Sequence, residues 1–164
     1  MATAHNPTHN SGRDSGLLDE QDDLRRPVPL FPVEPPDGRR DWAEADRQAT
    51  FRGRLRVMAP SLMVFANANA GKRARIQAIK EGITAGVFDL TIASGTIGPR
   101  FAAWLEMKGY DSRGRPGTLS HAQIDWGNRM WRAGHPVACF FDPDAAVEWV
   151  RGISPHAFVD RGGL

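Results

Sequence analysis

The chain has 164 residues, enough for one domain around a single core but not for several. No run nears the ~18 consecutive apolar residues of a membrane-crossing helix, so no membrane role is expected. The formal net charge of +2 is spread unevenly. Residues 1–40 hold five Lys and Arg against seven Asp and Glu, residues 41–100 nine against five, and residues 101–164 seven of each.

The opening stretch, MATAHNPTHNSGRDSGLLDEQDD, lacks the apolar centre of a secretory signal. The single cysteine, Cys139, excludes an intrachain disulfide and suits a reducing compartment, so a cytoplasmic location is expected. Residues 1–40 read as an N-terminal appendage, polar at first and then proline-rich in RRPVPLFPVEPPDGRR. Proline disfavours helix and central strand, so an extended or disordered segment is expected there.

From Asp41 the pattern turns helical. Glu44, Gln48, Phe51, Leu55 and Met58 recur at helical spacing, and Pro60 ends the run. Residues 62–66, LMVFA, read as a buried strand, and NANAG as a turn. KRARIQAIKEG then reads as a short basic helix stopped by Gly82. Residues 86–93, GVFDLTIA, form the next predicted strand, SGTIGP a hairpin-like loop, and RFAAWLEMK the strand after it. A glycine-rich loop, YDSRGRPGTLS, leads to an amphipathic helix marked by Leu119, Ala122, Trp126, Met130 and Ala133. HPVACFF is a further strand, and Asp142 caps a last helix that has Pro143 at its first position. The order predicts an α/β domain over residues 41–153, with a central mixed sheet flanked by helices and a short tail over residues 154–164.

Two charges interrupt the apolar strand WLEMK. Side chains alternate faces along a strand, so Glu106 and Lys108 point the same way as Trp104. Asp89 lies in the preceding predicted strand, and hairpin-like pairing would bring it beside Glu106. Two buried carboxylates repel unless a cation lies between them. Hard carboxylate oxygens suit Mg²⁺ or Mn²⁺, with Lys108 placed to hold the attacking water. The same residues also fit a surface ion pair on an edge strand with a turn carboxylate nearby. Cys139, inside VACFF, reads as a small core residue rather than a nucleophile.

Taken in order, AGVFDLTIAS, WLEMK and LSHAQIDWGNRMWRAGHPVACFFDPDAAVEWV resemble the VRR-NUC family, a branch of the PD-(D/E)XK nucleases. Upstream, EADRQATF resembles that family's first helix and NANAGKR its Asn-rich turn. Phe88 stands where the family usually has proline, and NANAG is looser than the usual Asn-Gly-Gly. The resemblance implies a restriction-endonuclease-like core. It implies that Asp89, Glu106, the backbone carbonyl of Met107 and Glu44 surround the metal, with Lys108 catalytic and Gln123 orienting the site. Lys72, Arg73 and Arg75 are candidates for gripping DNA phosphates.

The expected activity is that of a divalent-metal-dependent DNA endonuclease selective for DNA structure, like a Holliday-junction resolvase. The alternative is a non-catalytic module of the same fold that binds DNA or a protein partner. Trp126 and Trp131 lie on different sides of one helix, so both cannot face inward. That surplus aromatic surface, with the resemblance, implies a homodimer acting on branched DNA.

Overall fold

Strand β3, Ala102–Met107, is the axis of the fold. It pairs antiparallel with β2, Leu90–Ala93, and in parallel with β4, Val137–Phe140. Strand β1, Met63–Ala66, adds antiparallel to the other side of β2, giving a mixed sheet in the order β1-β2-β3-β4. This computed structural model describes residues 27–67, 80, 82, 84–96 and 98–159. Among them are three α-helices: α1, Glu44–Met58; α2, His121–Arg132; and α3, Pro143–Ile153, followed by a 3-10 turn over Pro155–Ala157. No described helix is long and apolar enough to cross a membrane.

The alternation of β3 divides the core in two. Ala103, Leu105 and Met107 join Leu90 and Ile92 on one face, under Phe51 and Leu55 of α1 and Val147 and Val150 of α3. Trp104 lies on the other face, where Ile124 and Trp126 of α2 pack with Phe88, Val137 and Cys139. Parallel strands need a crossover connection, and α2 supplies the one between β3 and β4. The two helix ends that matter most are set locally. Ser120 and Gln123 form a reciprocal capping box on α2, and the Asp142 side chain accepts from Asp144 N with Pro143 in the first turn of α3.

Two predicted strands are altered by their position in the sheet. The predicted strand over 86–93 is paired only from Leu90, because Gly86 turns at φ 82° and Asp89 lies at a bend. The strand predicted to be buried, 62–66, is an exposed edge instead, with Met63 at 56% and Phe65 at 51% exposure. Its neighbour in the sheet covers only one edge, and α1 covers only the face that carries Val64. The predicted basic helix over 72–82 falls almost wholly outside the described residues.

The described part of the proline-rich segment is extended, and it is packed rather than free. Val33 bridges Cys139 in parallel, with Cys139 N donating to Pro32 O at 3.0 Å and Glu34 N to Cys139 O at 2.9 Å. The segment thus lies along the outer edge of β4, where proline costs no ladder bond on its solvent side. Asn128 of α2 clamps it by accepting from Leu30 N and donating to Val28 O. Phe31 is buried against Gly127, where any Cβ would come 2.4 Å from its ring. Further on, Asp37 receives the guanidinium of Arg47, a fully buried side chain that also donates to Trp42 O, Arg39 O and Phe141 O. Residue 40 is therefore not where packing begins: the contacts run back to residue 28.

Candidate active site

The face of β3 toward α2 carries the two charges. Glu106 is 1% exposed and Lys108 8%, and Lys108 Nζ donates to Glu106 Oε1 at 2.6 Å. Gln123, third residue of α2, donates from Nε2 to the same oxygen at 2.5 Å. Its Oε1 accepts from Ser120 N at 2.9 Å and lies 3.5 Å from Lys108 Nζ. One amide thus caps a helix and fixes the ion pair. Burial of Glu106 is not left unsatisfied on its other side: Asp89 N donates to Glu106 Oε2 at 3.0 Å.

Asp89 reaches this position because its neighbours are held. Asn67 donates from Nδ2 to Phe88 O at 2.6 Å, its own N–H donates to Asp89 O at 2.7 Å, and its Oδ1 accepts from Thr91. Phe88 is locked edge-on to Phe31 and tilted against Trp126. Gly86 lets this approach close on α2, since a Cβ there would meet Ala122 O at 2.1 Å. From the opposite side, Gln48 of α1 donates to Asp89 Oδ2 at 2.9 Å.

Glu44 comes from the first turn of α1. The backbone of Glu44 rests on Gly109, where a Cβ would lie 2.4 Å from Glu44 N. This contact brings the helix start up against the residue that follows Lys108. The structure therefore gathers Glu44, Asp89, Glu106, Lys108 and Gln123. Lys72, Arg73 and Arg75 lie outside the described residues. The Met107 side chain is buried on the opposite face, so only its backbone could serve the site.

The electrostatics show what this crowding costs. Burial pushes the Glu106 carboxyl up to about 7; the Lys108 charge opposes the rise and the Asp89 charge adds to it. Glu44 is also raised, first by burial and then by Asp89, against the pull of Lys108. Burial alone would lower Lys108, but the Glu106 charge, their hydrogen bond and the Glu44 charge hold it above the ordinary lysine range. Both members of the pair thus hold protons more tightly than free side chains. For Lys108 that reflects the ion pair; for Glu106 it reflects burial that the ion pair does not offset. Cys139, beneath them, has its thiol pushed up to about 12 by burial and neighbouring negative charge, which fits an inert core residue.

Among the described residues no group of three or more His, Cys, Asp or Glu closes into a metal cage by side chains alone. Carboxylate and backbone carbonyl oxygens are the donor chemistry that a hard divalent cation keeping several waters takes. The Glu106 carboxylate meets Asp89 at its backbone N–H, the charges of Asp89 and Glu44 are within electrostatic reach of one another, and Glu106, the most buried of the three, is destabilised as an anion.

Gln48 and Asn67 also position the site, and sequence pattern alone does not single them out. A signal exists for the first, a polar residue on the apolar stripe of α1. Asn67 is only the first asparagine of NANAG, and nothing in the pattern marks it as a clamp. Comparison of the chain with protein-family models, with curated proteins and with solved structures finds no match in any of the three.

Proposed function

We propose that the chain is a divalent-metal-dependent DNA endonuclease with a restriction-endonuclease-like core, as its resemblance to the VRR-NUC family implies. The observation that carries this reading is the buried Glu106–Lys108 pair, fixed by Gln123 and facing Asp89 across the β2–β3 pairing. A fold does not need a charge pair in that position. Burying both groups costs several kcal/mol before their attraction returns any of it.

Asp89, Glu106 and the Met107 carbonyl would hold Mg²⁺ or Mn²⁺, with Glu44 approaching from α1. When bound, the ion supplies a water acidified for attack and positive charge for the phosphodiester oxygens. The chain's own residues do the rest. Gln123 holds the Glu106 carboxylate in one orientation. The Lys108 ammonium, kept charged by Glu106, neutralises charge that develops on the scissile phosphate. Gln48 holds the Asp89 carboxylate by donating to its Oδ2. The substrate is proposed to be branched DNA and the active species a homodimer; an α2 surface with Trp131 at 40% exposure supports the second point.

The test is cleavage of plasmid and branched DNA with Mn²⁺ or Mg²⁺, by wild type and by Glu106→Gln. Substitution keeps shape and removes a charge that would bind metal. Activity is expected to fall at least ~100-fold, on the scale of losing one electrostatic stabiliser, with cooperative unfolding retained. Cutting by folded Glu106→Gln at the wild-type rate overturns the assignment.

A further inference from the structure

The loop that follows Lys108 is more ordered than an exposed turn requires. Tyr110 and Pro116 form an antiparallel bridge, and Gly117 N donates to Gly109 O at 2.8 Å. Inside it, Asp111 acts as a hub. Its Oδ1 accepts from Arg113 N at 2.8 Å and Arg115 N at 3.0 Å, and its Oδ2 takes the Arg115 guanidinium. Gly114, at φ 70°, closes the turn, and the Arg40 stem lies against it, with a Cβ at 114 only 3.3 Å from Arg40 Cδ. Tyr110 OH accepts from Gly38 N at 2.6 Å, which ties the loop to the segment carrying Arg40.

The stiff frame thus carries Arg113 and Arg115 on one loop and seats the stem of Arg40, from a second, against it at Gly114. Arg115 shares its charge with Asp111. Arg40 and Arg113 are exposed and have no carboxylate partner among the described residues. Between this rim and α1 lies a cleft of about 590 Å³ whose lining includes Glu44, Tyr110, Asp111, Arg115 and Thr118. Arg115 of the loop and Glu44 of the acidic site therefore line one and the same cleft. A guanidinium fork matches a phosphate bidentately, and a loop already ordered loses less freedom on binding.

We propose that residues 109–118, with Arg40, form a phosphate clamp that holds the nucleic-acid backbone beside the scissile bond. The clamp rests on the nuclease reading and adds to it the route by which a strand reaches Glu44 and Glu106. Arg113 and Arg40 make the phosphate contacts, and Asp111 and Arg115 hold the loop in shape.

The experiment is fluorescence anisotropy of a labelled linear duplex in EDTA over a KCl series, so that binding is read without cutting. Removing one cation from a phosphate lowers the slope of log K against log salt by about 0.9, so Arg113→Ala should reduce it by about that and Arg40→Ala/Arg113→Ala by about 1.8. Arg113→Lys should recover most of the slope. Arg151→Ala, on α3 across the sheet and held by Glu148 and Phe158, should match wild type. A wild-type slope in the double variant overturns the clamp. A wild type that binds duplex but never cuts with Mn²⁺ overturns the nuclease reading while the slopes still decide the clamp. A wild type that binds neither this duplex nor a labelled four-way junction overturns both.

Discussion

At the scale of single residues, Glu106 and Lys108 share one hydrogen bond, and their free energies cannot be assigned separately. Lys108 stays charged because Glu106 is beside it, and burial makes the Glu106 anion costly while the Lys108 charge offsets part of that cost. Removing the cation alone strands a buried carboxylate; removing both leaves neutral groups that can pack. Lys108→Met is therefore expected to destabilise the fold by about 3 kcal/mol, and Glu106→Gln/Lys108→Met by markedly less. Urea unfolding of the wild type, both single variants and the double closes the cycle. Equal destabilisation in Lys108→Met and the double variant would mean that the lysine matters for its aliphatic packing and not for its charge. The pair was legible in the sequence because period-two alternation puts residues 106 and 108 on one face whatever surrounds the strand. The closeness of Asp89 was legible too, given a β2–β3 hairpin. The partners that make the arrangement rigid were not. Gln48 and Asn67 act through contacts 41 and 21 residues away, and short-range periodicity carries no such information.

At the scale of elements, the segment before α1 is where chain pattern and packing diverge. Its prolines state that it is extended, and it is. They do not state that an extended strip can lie along a sheet edge and donate one aromatic side chain to the core. Phe31 fills the space that Gly127 leaves open and meets the ring of Phe88, next to Asp89. Phe31→Ala is expected to cost about 3 kcal/mol in urea unfolding, since the cavity cannot collapse onto a glycine. A change under about 0.5 kcal/mol, the range of ordinary surface substitutions, would show that the segment merely rests on the domain. Asp37 gives the same attachment a pH signature. Burial would raise its carboxyl, but hydrogen bonds from Arg47 and Arg39 prevail and hold it at about 2 against an ordinary 3.8. A depressed carboxyl stabilises the fold above its unfolded value and loses that contribution as pH falls through the folded one. Solvent screening around Asp37 reduces the contribution at neutral pH to about 1 kcal/mol. Asp37→Asn should be less stable than wild type by that amount at neutral pH, and the gap should narrow as the pH falls from 3.8 through about 2. A gap that stays constant over that range would remove Asp37 from the attachment. The three described helices, by contrast, were legible almost to their ends. A stripe at 3.6-residue spacing, a proline stop after α1 and the Asp142–Pro143 start of α3 are all local, and local signals need no knowledge of the fold. Strand β1 was legible as a strand but not as an edge, because LMVFA reads the same at the centre of a sheet as at its border.

At the scale of the whole molecule, the sheet order places Glu106 and Lys108 on one side of one strand, beside Asp89 just before the next, with α1 bringing Glu44 and α2 bringing Gln123 to them. That makes a single cluster of site groups among the described residues of each copy. If the proposed nuclease acts on branched DNA, two strands must be cut, and a chain with one such cluster needs a second copy. A closed two-fold pair is the simplest arrangement that supplies it. The surface of α2 fits this requirement: Trp126 is used in the core against Phe88 and Trp104, whereas Trp131 stands 40% exposed on the same helix. An aromatic side chain left partly in water gains most from burial in an interface core. The expected outcome is a dimeric mass by light scattering of the metal-free protein, reduced toward the monomer by Trp131→Glu, which would set two carboxylates into that interface. Alongside, a four-way junction should be cut in paired, symmetric positions and a linear duplex of the same sequence more slowly. Trp131→Glu should convert paired cuts into single nicks, because each separated copy retains its own Asp89, Glu106 and Lys108. A monomeric wild type that cuts junction and duplex equally would end the dimeric reading and leave a nicking enzyme, in which Trp131 is a surface aromatic and the second strand is never addressed.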